Sequence, residues 1–196
     1  MASRRRRKGL SFYERKEKMK PGTWKEIFSY IFLVFLASFL AFVLVLAFGM
    51  RTSVIGVSME PTLYNSQEIF INKIAYLILS PGRGDVVVFQ PNGNENAHYY
   101  VKRVIGLPGE TVQIRSGQIY IDGEKLEDYT FDKIETAGLA ETPYLLGEDE
   151  YFVLGDNRNN SEDSRSGNIG AVHRDHIVGQ AWFCLAKEDV GIGFIK

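Results

Sequence analysis

Tyr99-Tyr100-Val101-Lys102-Arg103-Val104-Ile105 is followed by the turn signal Pro108-Gly109 and by a second short run, Thr111–Arg115. β-branched and aromatic residues dominate both runs, so the stretch reads as strand, turn, strand. The same grammar extends outward. Glu68–Asn72 and Asp85–Phe89 lie upstream; Gln118–Ile121, Tyr151–Leu154 and Ile177–Leu185 lie downstream. Pro81-Gly82, Pro91-Asn92-Gly93 and Asp122-Gly123 separate them. No long amphipathic helix competes in this part of the chain, so the fold class is all-β and antiparallel. Residues 106–150 read as a small inserted hairpin with a polar connection, acidic at Glu124–Asp128 and Glu148–Glu150. Arg83-Gly84-Asp85 opens an apolar strand and is read as a turn rather than an adhesion signal. Ile74–Leu79 is either a core strand or an additional membrane contact.

Alternation places Lys102 on one strand face with Tyr100 and Val104, while Arg103 points the other way. A lysine on a largely apolar face is either an edge residue reaching for water or a buried amine with a task. At an ordinary pKa of about 10.4, roughly one lysine in 2,500 is neutral at pH 7. Burial that lowered it to about 7 would make half of the amines usable as a base.

The N-terminal part differs sharply. Residues 1–26 hold ten Lys/Arg against three Asp/Glu, whereas the remainder is acidic, and the 196-residue chain nets −1. Residues 27–50 carry no ionisable side chain except Tyr30. At 1.5 Å per residue they reach about 36 Å, enough to cross a hydrocarbon core of about 30 Å. A cleaved leader would have a shorter apolar core and a small-residue end, but this run ends Ala47-Phe48-Gly49-Met50-Arg51. The expected organisation is a basic cytoplasmic tail (1–26), a transmembrane helix (27–50) and an extracytoplasmic β catalytic domain (51–196). Arg4–Lys8, Arg15, Lys16, Lys18, Lys20 and Lys25 hold the N-terminus on the cytoplasmic side. A basic flank beside a span is favoured over a nucleic-acid-binding role. The single Cys184 excludes an intrachain disulfide and reads as a small buried apolar residue.

Directly after the span comes Val54-Ile55-Gly56-Val57-Ser58-Met59-Glu60-Pro61-Thr62. Ser58 in this Gly/Pro-bounded turn can present its hydroxyl on an exposed bend. The Gly-x-Ser-x-Gly elbow is absent, since Glu60 replaces the second glycine. A serine nucleophile needs a base. His98, His173 and His176 lie in polar turns without a triad pattern, and His173 with His176 lacks a third metal ligand. Lys102 is the stronger candidate. Downstream, Tyr151–Leu154 runs into Gly155-Asp156-Asn157-Arg158-Asn159-Asn160-Ser161-Glu162-Asp163-Ser164-Arg165, a loop dense in short hydrogen-bonding side chains. It fails as an EF-hand, with Arg158 at the third position and Ser161 where the sharp turn needs glycine.

These stretches together resemble the type I signal peptidase family. Gly56–Thr62 is similar to its nucleophile box and Arg83–Phe89 to a family strand. Tyr100–Glu110 is similar to its lysine box, and Gly155–Arg165 to its final box, in family order after one span. The resemblance implies a compact, single-span Ser/Lys protease on the β fold shared with self-cleaving repressors. It would cut secretory preproteins after small residues at the bilayer surface, with no cofactor, metal or nucleic acid. Ser58 would be the nucleophile and Lys102 the base. Ser161 would orient the amine, and Asp163 and Arg165 would form a structural ion pair supported by Asp156 and Arg103. Gly56 stands where some members carry a serine that donates to the oxyanion, so that role falls on the Ser58 N–H and water. Two rivals remain. One is a Ser/Lys autoprotease cutting its own chain, with Ala137-Gly138 as candidate bond; the other is an anchored, non-catalytic assembly or binding domain.

Overall fold

A computed structural model describes residues 21–48, 50–94, 96–127, 132–187 and 191–195. Most of the basic tail, including Arg4–Lys8 and Arg15–Lys20, lies outside the described residues. A 28-residue helix, α1, spans Pro21–Phe48, beginning six residues ahead of the expected apolar start. Proline is well placed at a helix start, where its missing N–H costs nothing. Within α1, Thr23–Val45 has a mean hydropathy of 2.6, long and apolar enough to cross a membrane by length and composition. Phe28, Ile31, Phe35 and Phe42 on its different faces are all more than half exposed, so the helix is apolar all round rather than along one stripe.

In the remainder, twelve strands among the described residues form two antiparallel sheets. They are β1 (Met50–Ser53), β2 (Glu68–Asn72), β3 (Val86–Phe89), β4 (Tyr100–Gly106), β5 (Thr111–Arg115) and β6 (Gln118–Ile121). Then follow β7 (Glu124–Lys125), β8 (Tyr144–Leu145), β9 (Glu150–Leu154), β10 (Val172–His173), β11 (Ile177–Cys184) and β12 (Gly193–Phe194). The larger sheet has the order β1-β2-β11-β3-β4-β9-β10, with β12 on β11; the smaller has the order β7-β6-β5-β8.

Period-two alternation explains the cores. On β3, Val86 and Val88 enter one apolar cluster with Val54, Met59 and Ile71, while Val87 and Phe89 enter another with Val104 and Tyr151. On β9, Tyr151 and Val153 face that second cluster, and Phe152 and Leu154 pack with Val112 and Ile114 of the smaller sheet. Gly106 permits this junction, since a Cβ there would lie 2.5 Å from Val112 Cγ2. Cys184 is buried in the first cluster.

Ile74–Leu79 is not a strand. Asn72 Oδ1 accepts from Ala75 N–H at 3.0 Å and starts a single helical turn, α2 (Ala75–Ile78). Tyr76 is buried and donates to Asp85, while Leu77 and Leu79 are exposed. Asp85 also accepts from Gly82 N–H and Gln180, so the Arg83-Gly84-Asp85 turn is a bracing point, as its position before β3 suggested.

Candidate active site

Ser58 is held by its neighbours. Val54, Met59 and Leu63 are buried in the core, and Leu63 N–H bonds Met59 O at 2.9 Å, fixing the turn at both ends. Gly56 adopts φ +86°, a conformation that L side chains rarely accept. Its N–H donates to Asn65 Oδ1 at 2.9 Å. That φ gives a local reason for glycine at this position. The loop after β9 grips the serine backbone, with Asn157 N–H bonding Ser58 O at 3.1 Å and Asn157 Nδ2 bonding Val57 O at 3.2 Å. Gly155 makes this contact possible, because a Cβ there would lie 2.4 Å from Ser58 O. The Ser58 N–H makes no hydrogen bond among the described residues.

Strand β4 delivers the amine. Lys102 pairs across the ladder with Val87 of β3 and is only 4% exposed, which rules out a solvent-seeking edge residue. Its Nζ donates to Ser58 Oγ at 2.6 Å and stands 5.5 Å from the centre of the Tyr100 ring. Burial pushes the amine down from its ordinary 10.5 to about 8, against the upward pull of the Asp163, Glu162 and Asp156 carboxylates. At pH 7 that leaves roughly one amine in ten neutral, against about one in 3,000 for a solvated lysine. Those carboxylates explain a value above the 7 that would make half of the amines available.

Two buried ion pairs frame this contact. Arg103, on the opposite face of β4, makes a fork to Asp156 through Nε–Oδ1 at 2.8 Å and Nη2–Oδ2 at 2.7 Å. Asp156 also accepts from Thr62 Oγ1 at 2.6 Å, tying the Ser58 turn to the loop. Arg165 makes a second fork to Asp163, with both contacts at 2.8 Å, and donates to Arg158 O and Thr136 O. Asp163 further accepts from Gly155 N–H at 3.1 Å. Half-satisfied buried charges are costly, so such fully bonded forks hold a loop in one arrangement.

Six expected site residues thus meet in two linked networks around Ser58 and Lys102, and Gly56 shapes the turn before the serine. Ser161 differs. Its hydroxyl is buried beside Gly155 and has no hydrogen-bond partner among the described residues, so no bond to Lys102 is present. Thr62, Asn157, Tyr100 and Glu162 also touch the site, though composition alone gave them no role. Their signal was present only as hydrogen-bonding side chains inside the quoted stretches. None of the histidines bonds Ser58. His173 and His176 pack together with ring centres 5.8 Å apart, while His98 lines a groove of about 410 Å³ that opens over Ser58 and Lys102. No cluster of three metal-ligating side chains occurs among the described residues. Ala137-Gly138 is not presented to the serine: Leu139 N–H bonds Arg165 O at 2.9 Å, and Gly138 lies against the same carbonyl.

The sequence profile described as "Signal peptidase, peptidase S26" matches residues 27–186. The chain belongs to this signal peptidase family. It is 38% identical over 150 residues to signal peptidase I P of Bacillus subtilis subsp. natto, covering 69% of this chain and 80% of that one. It is 45% identical over 136 residues to a signal peptidase I of Bacillus amyloliquefaciens, covering 65% and 71%. A probable signal peptidase I-2 of Synechocystis is 36% identical over 180 residues, covering 86% and 76%. A solved signal peptidase I from Enterococcus faecalis is 31% identical, covering 52% of this chain and 97% of its own, with a TM-score of 0.39. Signal peptidase I enzymes are serine endopeptidases that remove signal peptides, and this family member is a hydrolase of that kind.

Proposed function

We propose that this enzyme cuts secretory preproteins with a Ser58/Lys102 dyad while anchored in the cytoplasmic membrane by α1. The observation that carries the reading is the 2.6 Å contact between Ser58 Oγ and the buried Lys102 amine. With Lys102 neutral, Nζ accepts the Oγ proton as Oγ attacks the scissile carbonyl carbon. The oxyanion accepts from the free Ser58 N–H, with water as second donor. The resulting ammonium protonates the leaving amine, and Oγ keeps the acyl group. Lys102 then takes a proton from water, whose oxygen attacks the ester carbonyl. The ammonium returns that proton to Oγ as the acyl–Oγ bond breaks, so the signal peptide leaves as its carboxylic acid and the Ser58/Lys102 pair is restored. Ser161 Oγ, buried and without a hydrogen-bond partner among the described residues, supplies an acceptor for the ammonium while it exists. The Asp163–Arg165 and Asp156–Arg103 forks keep both reacting groups in place.

The groove supports an extended substrate. On its β9 side, β4 is laddered only from Arg103 onward, so the backbone edge of Tyr100–Lys102 stands outside that ladder beside Ser58. A peptide added there would present alternate side chains to the groove, and Val57 and Val101 among its walls suit small apolar residues. The basic tail beside an apolar run supports a cytoplasmic N-terminus and a β domain on the outer face. Ser58→Ala and Lys102→Ala should each abolish cleavage of a preprotein ending its leader in Ala-x-Ala, with the fold intact by circular dichroism. Lys102→Arg should be equally inactive, because a guanidinium stays protonated and cannot act as a base. Near-normal turnover by any of the three refutes the dyad. Release of a self-fragment from the unaltered chain would instead favour the autoprotease.

A further inference from the structure

The loop that grips Ser58 also aims a carboxylate at the groove. Glu162 lies between Ser161 and Asp163, and the buried Asp163 and Ser164 fix the backbone on its C-terminal side. Its own side chain is exposed. One oxygen accepts from Asn168 Nδ2 at 3.2 Å and the other faces the Tyr100 hydroxyl at 3.5 Å. No cation lies within ion-pair distance of it among the described residues. Among the described residues, Glu162 is the only acidic side chain that lines the groove over Ser58, alongside the Tyr100 ring and an otherwise mainly apolar wall. The one other fully charged group there, Lys102, is bonded to the serine.

From this juxtaposition we infer that Glu162 and Tyr100 form a subsite selecting preproteins with a lysine or arginine side chain close to the scissile bond. The inference rests on the proteolytic reading above and adds a charge preference to it. A cation entering the groove meets a carboxylate that makes no ion pair among the described residues, beside the ring of Tyr100, which already has the Lys102 amine 5.5 Å from its centre. An acidic substrate side chain meets like charge at the same place. Because Glu162 stays wet, the attraction is modest, on the order of a fivefold preference at low salt, and screened as ionic strength rises.

Glu162 also acts on Lys102 through its field. That influence is common to every substrate, so it cancels in a ratio of kcat/KM values between two substrates cut by one enzyme. The experiment uses the full chain in detergent and peptides that share one leader sequence. Lys, Gln or Glu is placed in turn at each of the four positions on either side of the cleaved bond. The expected result is one position where Lys exceeds Glu by roughly fivefold or more for the unaltered enzyme. Glu162→Gln, which keeps an acceptor for Asn168, should bring that ratio close to one. Glu162→Lys should invert it. Ratios that stay the same at every position in Glu162→Gln overturn the subsite, as does a variant that slows all peptides by one common factor. No cleavage of any peptide by the unaltered chain overturns the proteolytic reading itself and this one with it.

Discussion

Burial holds the Lys102 amine at about 8, whereas a solvated lysine titrates near 10.5, and this gap acts on rate and stability with defined signs. If the neutral amine is the working base, as proposed above, kcat/KM should climb with pH through an apparent pKa of about 8 and flatten above it. An ascending limb near 10.5 would mean a solvated lysine and a different base. Stability follows from proton counts. Between pH 8 and 10.5 the unfolded chain binds a proton at Lys102 that the native chain does not, so stability rises with pH across this window. Below about 8 the native state carries the full desolvation penalty, roughly 3 kcal/mol at most. Losing the bond to Ser58 offsets about 1 kcal/mol of that. Lys102→Met should therefore be inactive yet more stable than the parent at pH 7, with the advantage shrinking toward pH 10.5. Thermal unfolding of both proteins at pH 7 and 10 checks this, and a Met variant no more stable at pH 7 would contradict the buried-amine account.

Between elements, the decisive joint is the one where the loop after β9 closes over the Ser58 turn. A Cβ on Gly155 would lie 2.2 Å from Ser161 Oγ and 2.4 Å from Ser58 O, and the second of these is backbone that cannot swing aside. Gly155→Ala should cost about 1–3 kcal/mol as overpacking. A shift of about 1 Å at Ser58 would lower kcat on the order of a hundredfold. Gly167→Ala, with nothing within 4 Å of the added Cβ, is the matched control in the same loop. Equal kcat in the two variants would show that Gly155 does not set the serine's position. The strands on either side of this joint were readable because their signal is local. β2, β5 and β6 begin and end where alternation and turn residues predicted, and β3, β4, β9 and β11 differ by a residue at one or both ends. β1 was not legible, since Met50–Ser53 follows an apolar run and gains strand geometry only by pairing with β2. The helical turn Ala75–Ile78 depends on hydrogen bonds that Ala75 N–H and the Tyr76 hydroxyl donate to Asn72 and Asp85, and four apolar residues alone cannot announce it. The 106–150 region was seen as a hairpin, but its growth into a four-stranded sheet comes from pairing β5 with the distant β8. Residue chemistry at the site was legible in Ser58 and Lys102. Their contact spans 44 positions and depends on the strand order β3-β4-β9, which composition does not encode.

At the scale of the whole chain, the helix Pro21–Phe48 and strand β1 are separated by a single residue, so the catalytic body follows the apolar segment with no long linker. If α1 sits in the bilayer, enzyme and leader-bearing substrate share a surface, and their encounter depends on the local rather than the bulk concentration. Tethering of this kind raises effective concentration to about the millimolar range without any new contact. It does nothing for a short peptide dissolved in water. A chain reduced to residues 50–196 should therefore match the full chain in kcat/KM on a soluble peptide, since Ser58, Lys102 and both arginine forks lie inside it. On a preprotein held in lipid vesicles the full chain should be faster by a factor of ten or more, and excess detergent, which disperses both partners, should erase that advantage. Equal rates on vesicles would mean that α1 contributes nothing to capture. A shortened chain that also failed on the soluble peptide would show that α1 is needed for the structure of the site rather than for its address.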